Sequence, residues 1–420
     1  MKDLIGREFR KDHGNILPLL MEDYEFYGMQ SLLQFYDSEL RCFTFQDYQL
    51  APTLEEYSFL LGINITNSLP FVKRMDTPDF EAIAKALGLR VSEVRDNWVP
   101  KDRTCGLPLG FLLVKVDEFA KVGNWKSFNT ILAVMIYGMV IFPSFEKFVD
   151  VAAISVFMND NPVPTILADT YYAIHSRHGQ KGRVMGCMPL LYRWFNTHLP
   201  KRGAFVDYAK TMKWSSRIIA LTSYDIVWNT MSSGSEIITS CGEFPNVPLM
   251  GTKGCISYNP ILARRQLGYP LTEVPTVRQL TETIFFANDE NPVLLNQIVV
   301  AWSSVHKKGT VFFGQKGNYA FDSYTDWLKD RVSKIRLPYK REAPLYSQPG
   351  SLVESLVPDS TTPYSSSVIS PPGFVRIEVY KQLQSENSAL KEQLQAQAMD
   401  LAFALIKRGY SLRSSRKTKF

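Results

Sequence analysis

Residues 125–158 read WKSFNTILAVMIYGMVIFPSFEKFVDVAAISVFM, two apolar stretches of helical length on either side of Pro143-Ser144. Neither stretch has a wide polar face, and a helix that is apolar all round has to sit inside a core. The pattern predicts a buried antiparallel helix pair at the centre of a large helical globular body, mainly α with minor β. Its longest apolar run, Ile131 to Phe142, stops at Pro143. That is short of the roughly 18 to 20 residues a bilayer span needs, so no membrane partner is expected.

Outward from this centre, start and stop chemistry marks further helices. Pro52-Thr53-Leu54-Glu55-Glu56 sets a hydroxyl at an N-cap and a carboxylate three residues later, a capping box, and Gly62 suits the left-handed stop. Thr77-Pro78 reads as an N-cap with proline at the first helical position, closed by Gly88. Thr276 to Gln279 repeats the capping-box pattern. Arg41-Cys-Phe-Thr-Phe45 and Thr310-Val-Phe-Phe313 are aromatic and β-branched enough to be short strands.

The chain has 420 residues, 45 % hydrophobic and 21 % charged, which excludes a wholly disordered protein and allows more than one lobe. Residues 1–341 have the apolar density of a folded body, with sub-lobes near 1–200 and 201–341. Residues 342–373 hold Pro344, Pro349, Pro358, Pro363, Pro371 and Pro372 among serines, the composition of an extended linker. Residues 374–408 then carry a heptad array, with Tyr380, Asn387, Leu394 and Leu401 at one core position and Leu383, Leu390, Gln397 and Ala404 at the other. Leucines with a single core asparagine favour a parallel homodimer in register, so Leu383, Asn387, Leu390, Leu394 and Leu401 are the expected self-association residues. A basic tail, 409–420, follows. The opening MKDLIGREFRKDHGN lacks the apolar run of a signal peptide, and the five cysteines contain no C-x-x-C pair. An intracellular protein is expected, with the tail suited to nuclear import.

Charge is unevenly placed. The 47 basic and 41 acidic residues give +6, yet residues 401–420 alone carry six basic groups and no acid. Residues 307–341 hold nine basic groups against Asp322, Asp326 and Asp330. In that second segment the cations interleave with Phe312, Phe313, Tyr319, Phe321, Tyr324 and Trp327, the mixture that phosphate attraction plus base stacking requires. The expected nucleic-acid contacts are Lys307, Lys308, Lys316, Lys334, Arg336, Arg413, Arg416, Lys417 and Lys419. The competing reading has the rings filling the core and Lys329, Arg331, Lys334 and Arg336 forming the wet face of a helix.

No reaction chemistry stands out. His175 and His178 lie three apart near Asp169, Cys187 and His198, but zinc spacing is missing and Arg177, Lys181 and Arg183 crowd the pair with positive charge, so no metal is expected. Ser232-Ser-Gly-Ser235 lacks the glycines of a nucleophile elbow. Gly251-Thr-Lys-Gly254 lacks the length of a phosphate loop and reads as an ordered turn. Glu55, Glu56, Asp150 and Asp169 supply carboxylates whose spacing shows no pairing. No catalytic residue and no cofactor is assigned; the alternative is an enzyme, a nuclease or transferase, with a site assembled from distant residues.

Several separated blocks carry a resemblance. Leu40-Arg-Cys-Phe43-Thr-Phe45, Ala51-Pro-Thr53-Leu54-Glu55-Glu56-Tyr57 and Leu60-Leu61-Gly62-Ile63 resemble the opening of the plant mobile domain, also called aminotransferase-like. Pro189-Leu-Leu-Tyr-Arg-Trp194 and Tyr224-Asp225-Ile-Val-Trp228 look like its later helix and Asp-x-x-x-Trp segments. DYQLAPTLEEY, NPVPTILADTYYAIH, FPNVPLMGTKGCISYNPILARRQLGYP and YTDWLKDRV are similar to an uncharacterised legume family associated with retroelements, often followed by a coiled coil. The resemblance spans roughly residues 10–341. It implies a mostly helical, transposon-derived domain of plant nuclei, non-enzymatic, with chromatin proteins or nucleic acid as partners and no catalytic residues to carry over.

Overall fold

The computed structural model describes residues 2–21, 26–66, 79–178, 184–228, 236–281, 284–286 and 291–335. It is mainly helical with small antiparallel sheets. The linker, the heptad segment, the basic tail, Arg336, Thr77-Pro78 and the Ser232–Ser235 stretch lie outside the described residues. Among the described residues, no helix is long and apolar enough to cross a membrane.

Residues 125–158 do form the centre, with one correction. Trp125–Ile136 is a helix capped by the Asn124 side chain, buried on almost every face from Phe128 onward, and it runs on as a π-helical turn over Tyr137–Ile141. The second stretch is not one helix: Phe148–Asp150 is a strand, and only Val151–Phe157 is helical. The Asp150 carboxylate accepts the Ala153 amide at 2.9 Å, which fixes that helix start and ends the strand. The closest helical neighbour of Trp125–Ile136 is Leu109–Val122, so the expected pairing partner was misplaced. Two glycines admit the strand. A Cβ on Gly138 would fall 2.6 Å from the Val149 side chain, and one on Gly106 only 2.1 Å from the Val149 carbonyl oxygen.

Other elements divide similarly. The capping box at Thr53 is formed, Leu54–Leu61 is helical, and Gly62 stops it at φ 61°. The segment ending at Gly88 is a helix, Phe80–Leu87, whose observed cap is Asp79. Thr276 and Gln279 exchange the hydrogen bonds of a capping box, but these close a turn and no helix follows. Cys42–Thr44 is a strand as expected. Thr310–Phe313 is one turn of helix, and the strand is the preceding Val305–Gly309, which pairs antiparallel with Glu236–Cys241. Ladder partners on Glu236–Cys241 outweigh the β-propensity of the rings that follow.

The buried helix Val163–His175 packs on the hairpin Val247–Met250 and Gly254–Tyr258, both of whose strands are buried throughout. At the C-terminal end of the described residues, Asp322–Lys334 buries Tyr324 and Leu328. The Tyr324 hydroxyl donates to Gln49 Oε1 at 2.6 Å, and Arg331 grips Asp37 through two nitrogens at 2.6 and 2.8 Å. Those bonds tie residue 331 to the first fifty residues, and the largest apolar cluster runs from Phe9 to Trp302.

Candidate functional site

The densest polar arrangement is internal and centres on Glu56. The cap places this residue in the first turn of Leu54–Leu61, side chain inward and only 2 % exposed. Its Oε2 accepts the Thr53 amide and hydroxyl, each at 3.1 Å, and the Trp194 indole N–H at 2.8 Å. Gln266 Nε2 donates to both carboxylate oxygens and to the Ala51 carbonyl, while Gln266 Oε1 accepts the Ala51 amide. His198 completes the set, Nε2 lying 2.9 Å from Glu56 Oε1 and Nδ1 3.0 Å from the Val227 carbonyl. A carbonyl only accepts, so Nδ1 carries hydrogen, and Nε2 and Oε1 stand close enough to share a proton. Three stretches distant in sequence meet on one carboxylate, the Pro52–Tyr57 block, the Met188–His198 helix and the segment around Gln266, and the chain at Val227 joins through His198.

A second buried knot sits at Arg41. Its guanidinium is fully buried and donates to the carbonyls of Ser257 at 2.7 Å, Glu39 at 3.0 Å and Leu280 at 3.2 Å. Asn246 and Asn259 extend the same layer, Asn259 donating to the Leu40 carbonyl. These contacts are structural in kind: donors meet carbonyls, and no reacting atom is presented to solvent.

Asp150 is a helix cap. Asp169 accepts the Thr252 amide at 2.7 Å and hydroxyl at 2.5 Å, so Gly251–Gly254 is a hairpin turn clamped by a helix carboxylate. Gly251 is required there, since a Cβ would fall 2.3 Å from Asp169 Oδ1. Burial raises the Asp169 carboxyl above its usual range, against the opposing pull of Lys253 and Thr252. Glu55 Oε1 accepts the Ile238 amide at 2.7 Å while its Oε2 is enclosed without a protein partner, and burial pushes this carboxyl up to about 7. His175 and His178 both meet the edge of the Tyr36 ring, 6.3 and 5.8 Å away. Among the described residues, no three His, Cys, Asp or Glu side chains are placed to hold a metal. Cys187 is buried at the start of the Met188–His198 helix.

The outer face differs. On Val305–Gly309, Lys307 is exposed and forms no ion pair among the described residues, and Lys308 Nζ sits 3.6 Å from the centre of the Phe312 ring. Phe312 is 64 % exposed. Phe313 meets it edge-on at 5.2 Å and is itself covered by Tyr269 and by the Arg264 guanidinium 4.3 Å away. Lys316 is exposed beside the same Tyr269 ring. Tyr319 and Phe321 stack on each other, both about half exposed. Tyr324 is in the core, and half-buried Trp327 lines an open groove of 370 Å³ with Leu40, Val277 and Leu280.

The helix carries its cations otherwise. Lys334 is paired with Asp330 at 2.6 Å, Lys329 with Asp326 at 2.9 Å, and Arg331 with Asp37 and Glu39. The structure therefore places Lys308 at Phe312 and Lys316 at Tyr269, on the two rings that flank Phe313, leaves Lys307 exposed on the Val305–Gly309 strand, and leaves Lys334 on a helix face with its own acid. Arg413, Arg416, Lys417 and Lys419, like the heptad leucines and Asn387, lie outside the described residues. Sequence reasoning did not find the Glu56–His198–Gln266–Trp194 set. The one available signal was the capping box, which fixes where Glu56 points but not what meets it.

Residues 1–333 match the family described as a domain of unknown function, DUF7745, and the chain belongs to that family. No curated protein and no solved structure matches it.

Proposed function

We propose that this chain is a non-enzymatic protein that associates with nucleic acid through its positive surface and pairs with a second copy of itself through residues 374–408. The observation that carries the reading is a contrast in what the charged groups do. Glu56, Asp150 and Asp169 are engaged by hydrogen bonds within the fold, whereas Lys307 and Lys316 are exposed and half-buried Lys308 lies against the exposed Phe312 ring. Lysines on a surface supply the phosphate attraction that sequence-independent binding needs. The basic tail, 409–420, adds Arg413, Arg416, Lys417 and Lys419 with no acid and suits nuclear import.

The resemblance to the plant mobile domain and to retroelement-associated relatives supports a transposon-derived origin and a nuclear setting, with chromatin as the natural source of the nucleic acid. The test is a titration of single- and double-stranded oligonucleotides at two salt concentrations, using the full chain and a chain lacking 409–420. Affinity should fall steeply with salt and weaken without the tail; no binding at low salt rejects the reading. For self-association, sedimentation of the full chain is compared with a chain ending at Pro372. The full chain should run as a dimer and the shortened one as a monomer, and two monomers would remove the dimer.

A further inference from the structure

We infer that Phe312 is a stacking platform for a base of single-stranded nucleic acid, with Lys308 beside the ring and the exposed Lys307 and Lys316 of the same chain segment adding phosphate attraction; this rests on the nucleic-acid reading above. The sequence offers six rings in this segment, and the structure removes most of them. Tyr324 is buried, Phe313 is covered by Tyr269 and Arg264, and Trp327 is half-buried in the groove. Tyr319 and Phe321 are occupied with each other. Phe312 remains, 64 % exposed on a single helical turn between Gly309 and Gly314, next to a fully exposed Val311.

Its surroundings are already arranged. The Lys308 ammonium sits over the ring at 3.6 Å and Phe313 stands against it at an interplanar angle of 87°. With the ammonium over one face the ring is still 64 % exposed to a flat partner, and cation and ring already stand together before any ligand arrives. The position also holds apolar area that folding has not removed from water. A nucleobase satisfies these requirements together: it is planar, it stacks on aromatic faces whatever its identity, and it comes with a phosphate on each side for the lysines. A duplex offers the phosphates but keeps its base faces stacked inside, so the ring discriminates in favour of single strands.

The experiment uses the full chain and fluorescent oligo-dT, oligo-U and a mixed-sequence duplex at fixed low salt, with Phe312→Ala, Phe312→Trp and the double variant Lys307→Ala/Lys316→Ala. The ring is exposed, so all variants should melt with the parent. Phe312→Ala should weaken single-strand binding about tenfold and leave the duplex unchanged, while Phe312→Trp retains the preference. Binding of oligo-dT and oligo-U alike, or of one alone, supports the platform and says which sugar it accepts. The double lysine variant should weaken all three ligands and flatten the salt dependence. If that variant weakens binding but Phe312→Ala changes nothing, or weakens single strand and duplex equally, the stacking site is wrong and the charge reading survives. If no oligonucleotide binds at low salt, both fall.

Discussion

The Glu56 knot and the Lys307–Lys316 surface both combine charged and aromatic side chains and use them in opposite ways. In the knot, groups from widely separated stretches of the chain satisfy one another completely out of water; on the surface, groups within ten residues stand side by side and face solvent. A buried carboxylate with an imidazole and an indole resembles reaction chemistry when read as a set of residue types. In the structure each of those donors is already engaged with an acceptor inside the fold. The exposed Lys307 and the 64 % exposed Phe312 ring lie on the outer face.

The comparison breaks most directly at its centre. Glu56→Ala leaves the Trp194 indole, the Gln266 amide, His198 and the Thr53 amide without their acceptor, all in a site closed to water. The expected loss of stability is about 3 to 5 kcal/mol, the cost of stripping one partner from a buried ionisable pair with its hydrogen bonds. Glu56→Gln keeps an acceptor for Trp194 but no longer shares a proton with His198, so it should fall between. Denaturant midpoints measure both, and a loss below about 1 kcal/mol for the alanine variant would mean that the knot does not tie these elements together.

A smaller effect separates Glu55 from its neighbour. Its folded carboxyl titrates at about 7 against an ordinary value of 4.5, raised by burial. Between these values the folded chain holds a proton that the unfolded chain has released, so the Glu55 contribution is full below pH 4.5 and is lost as pH rises to about 7. At about 1.4 kcal/mol per unit, and with allowance for the solvent that reaches part of the side chain, the loss is of order 2 kcal/mol. Glu55→Gln preserves the acceptor for the Ile238 amide and removes the titration. Melting of variant and parent across pH 4.5 to 7.5 should show the variant gaining on the parent as pH rises; a constant difference would refute the assignment. Glu93, held down to about 2 chiefly by its hydrogen bond to Arg90, stays ionised over this window and serves as the internal contrast.

What the sequence disclosed follows from how local each determinant is. The Thr53 box and the Gly62 and Gly88 stops are decided by a few adjacent residues and were legible; the turn at Gly251–Gly254 was legible as a turn, but not the Asp169 clamp that holds it. The 146–158 stretch was misread because its strand depends on two glycines elsewhere, Gly106 and Gly138, which make room for Val149. The strand at Val305–Gly309 was placed five residues late because its partner, Glu236–Cys241, decides it. The Glu56 set was hidden for the same reason, since spacing along the chain carries no information about residues up to 210 positions apart meeting in space. The interleaving of cations and rings over 307–341 was legible, being contiguous, but which ring stays exposed was not: burial alone distinguishes Phe312 from Phe313 and Tyr324.

The smallest expected effect tests the boundary of the surface itself. Lys334 Nζ lies 2.6 Å from Asp330 Oδ2, one helical turn away, with both side chains more than half exposed. Such a pair is worth about 0.3 to 0.5 kcal/mol, so Lys334→Ala should barely move the melting temperature. Its effect on binding is the sharper measure. A lysine that neutralises one phosphate contributes about 0.9 to the slope of log affinity against log salt on duplex DNA. Lys307, exposed and without an acid among the described residues, should carry close to that whole amount, and Lys307→Ala should lower the slope accordingly. Lys334 has Asp330 as a standing competitor, which a phosphate must displace while the aspartate itself repels the approaching backbone. Its alanine variant should therefore lower the slope by clearly less than Lys307→Ala under the same conditions. Equal slopes would show that the Asp330 pair opens freely, which would extend the binding surface along the Asp322–Lys334 helix and leave burial alone, with no role for ion pairing, dividing the inner groups from the outer ones.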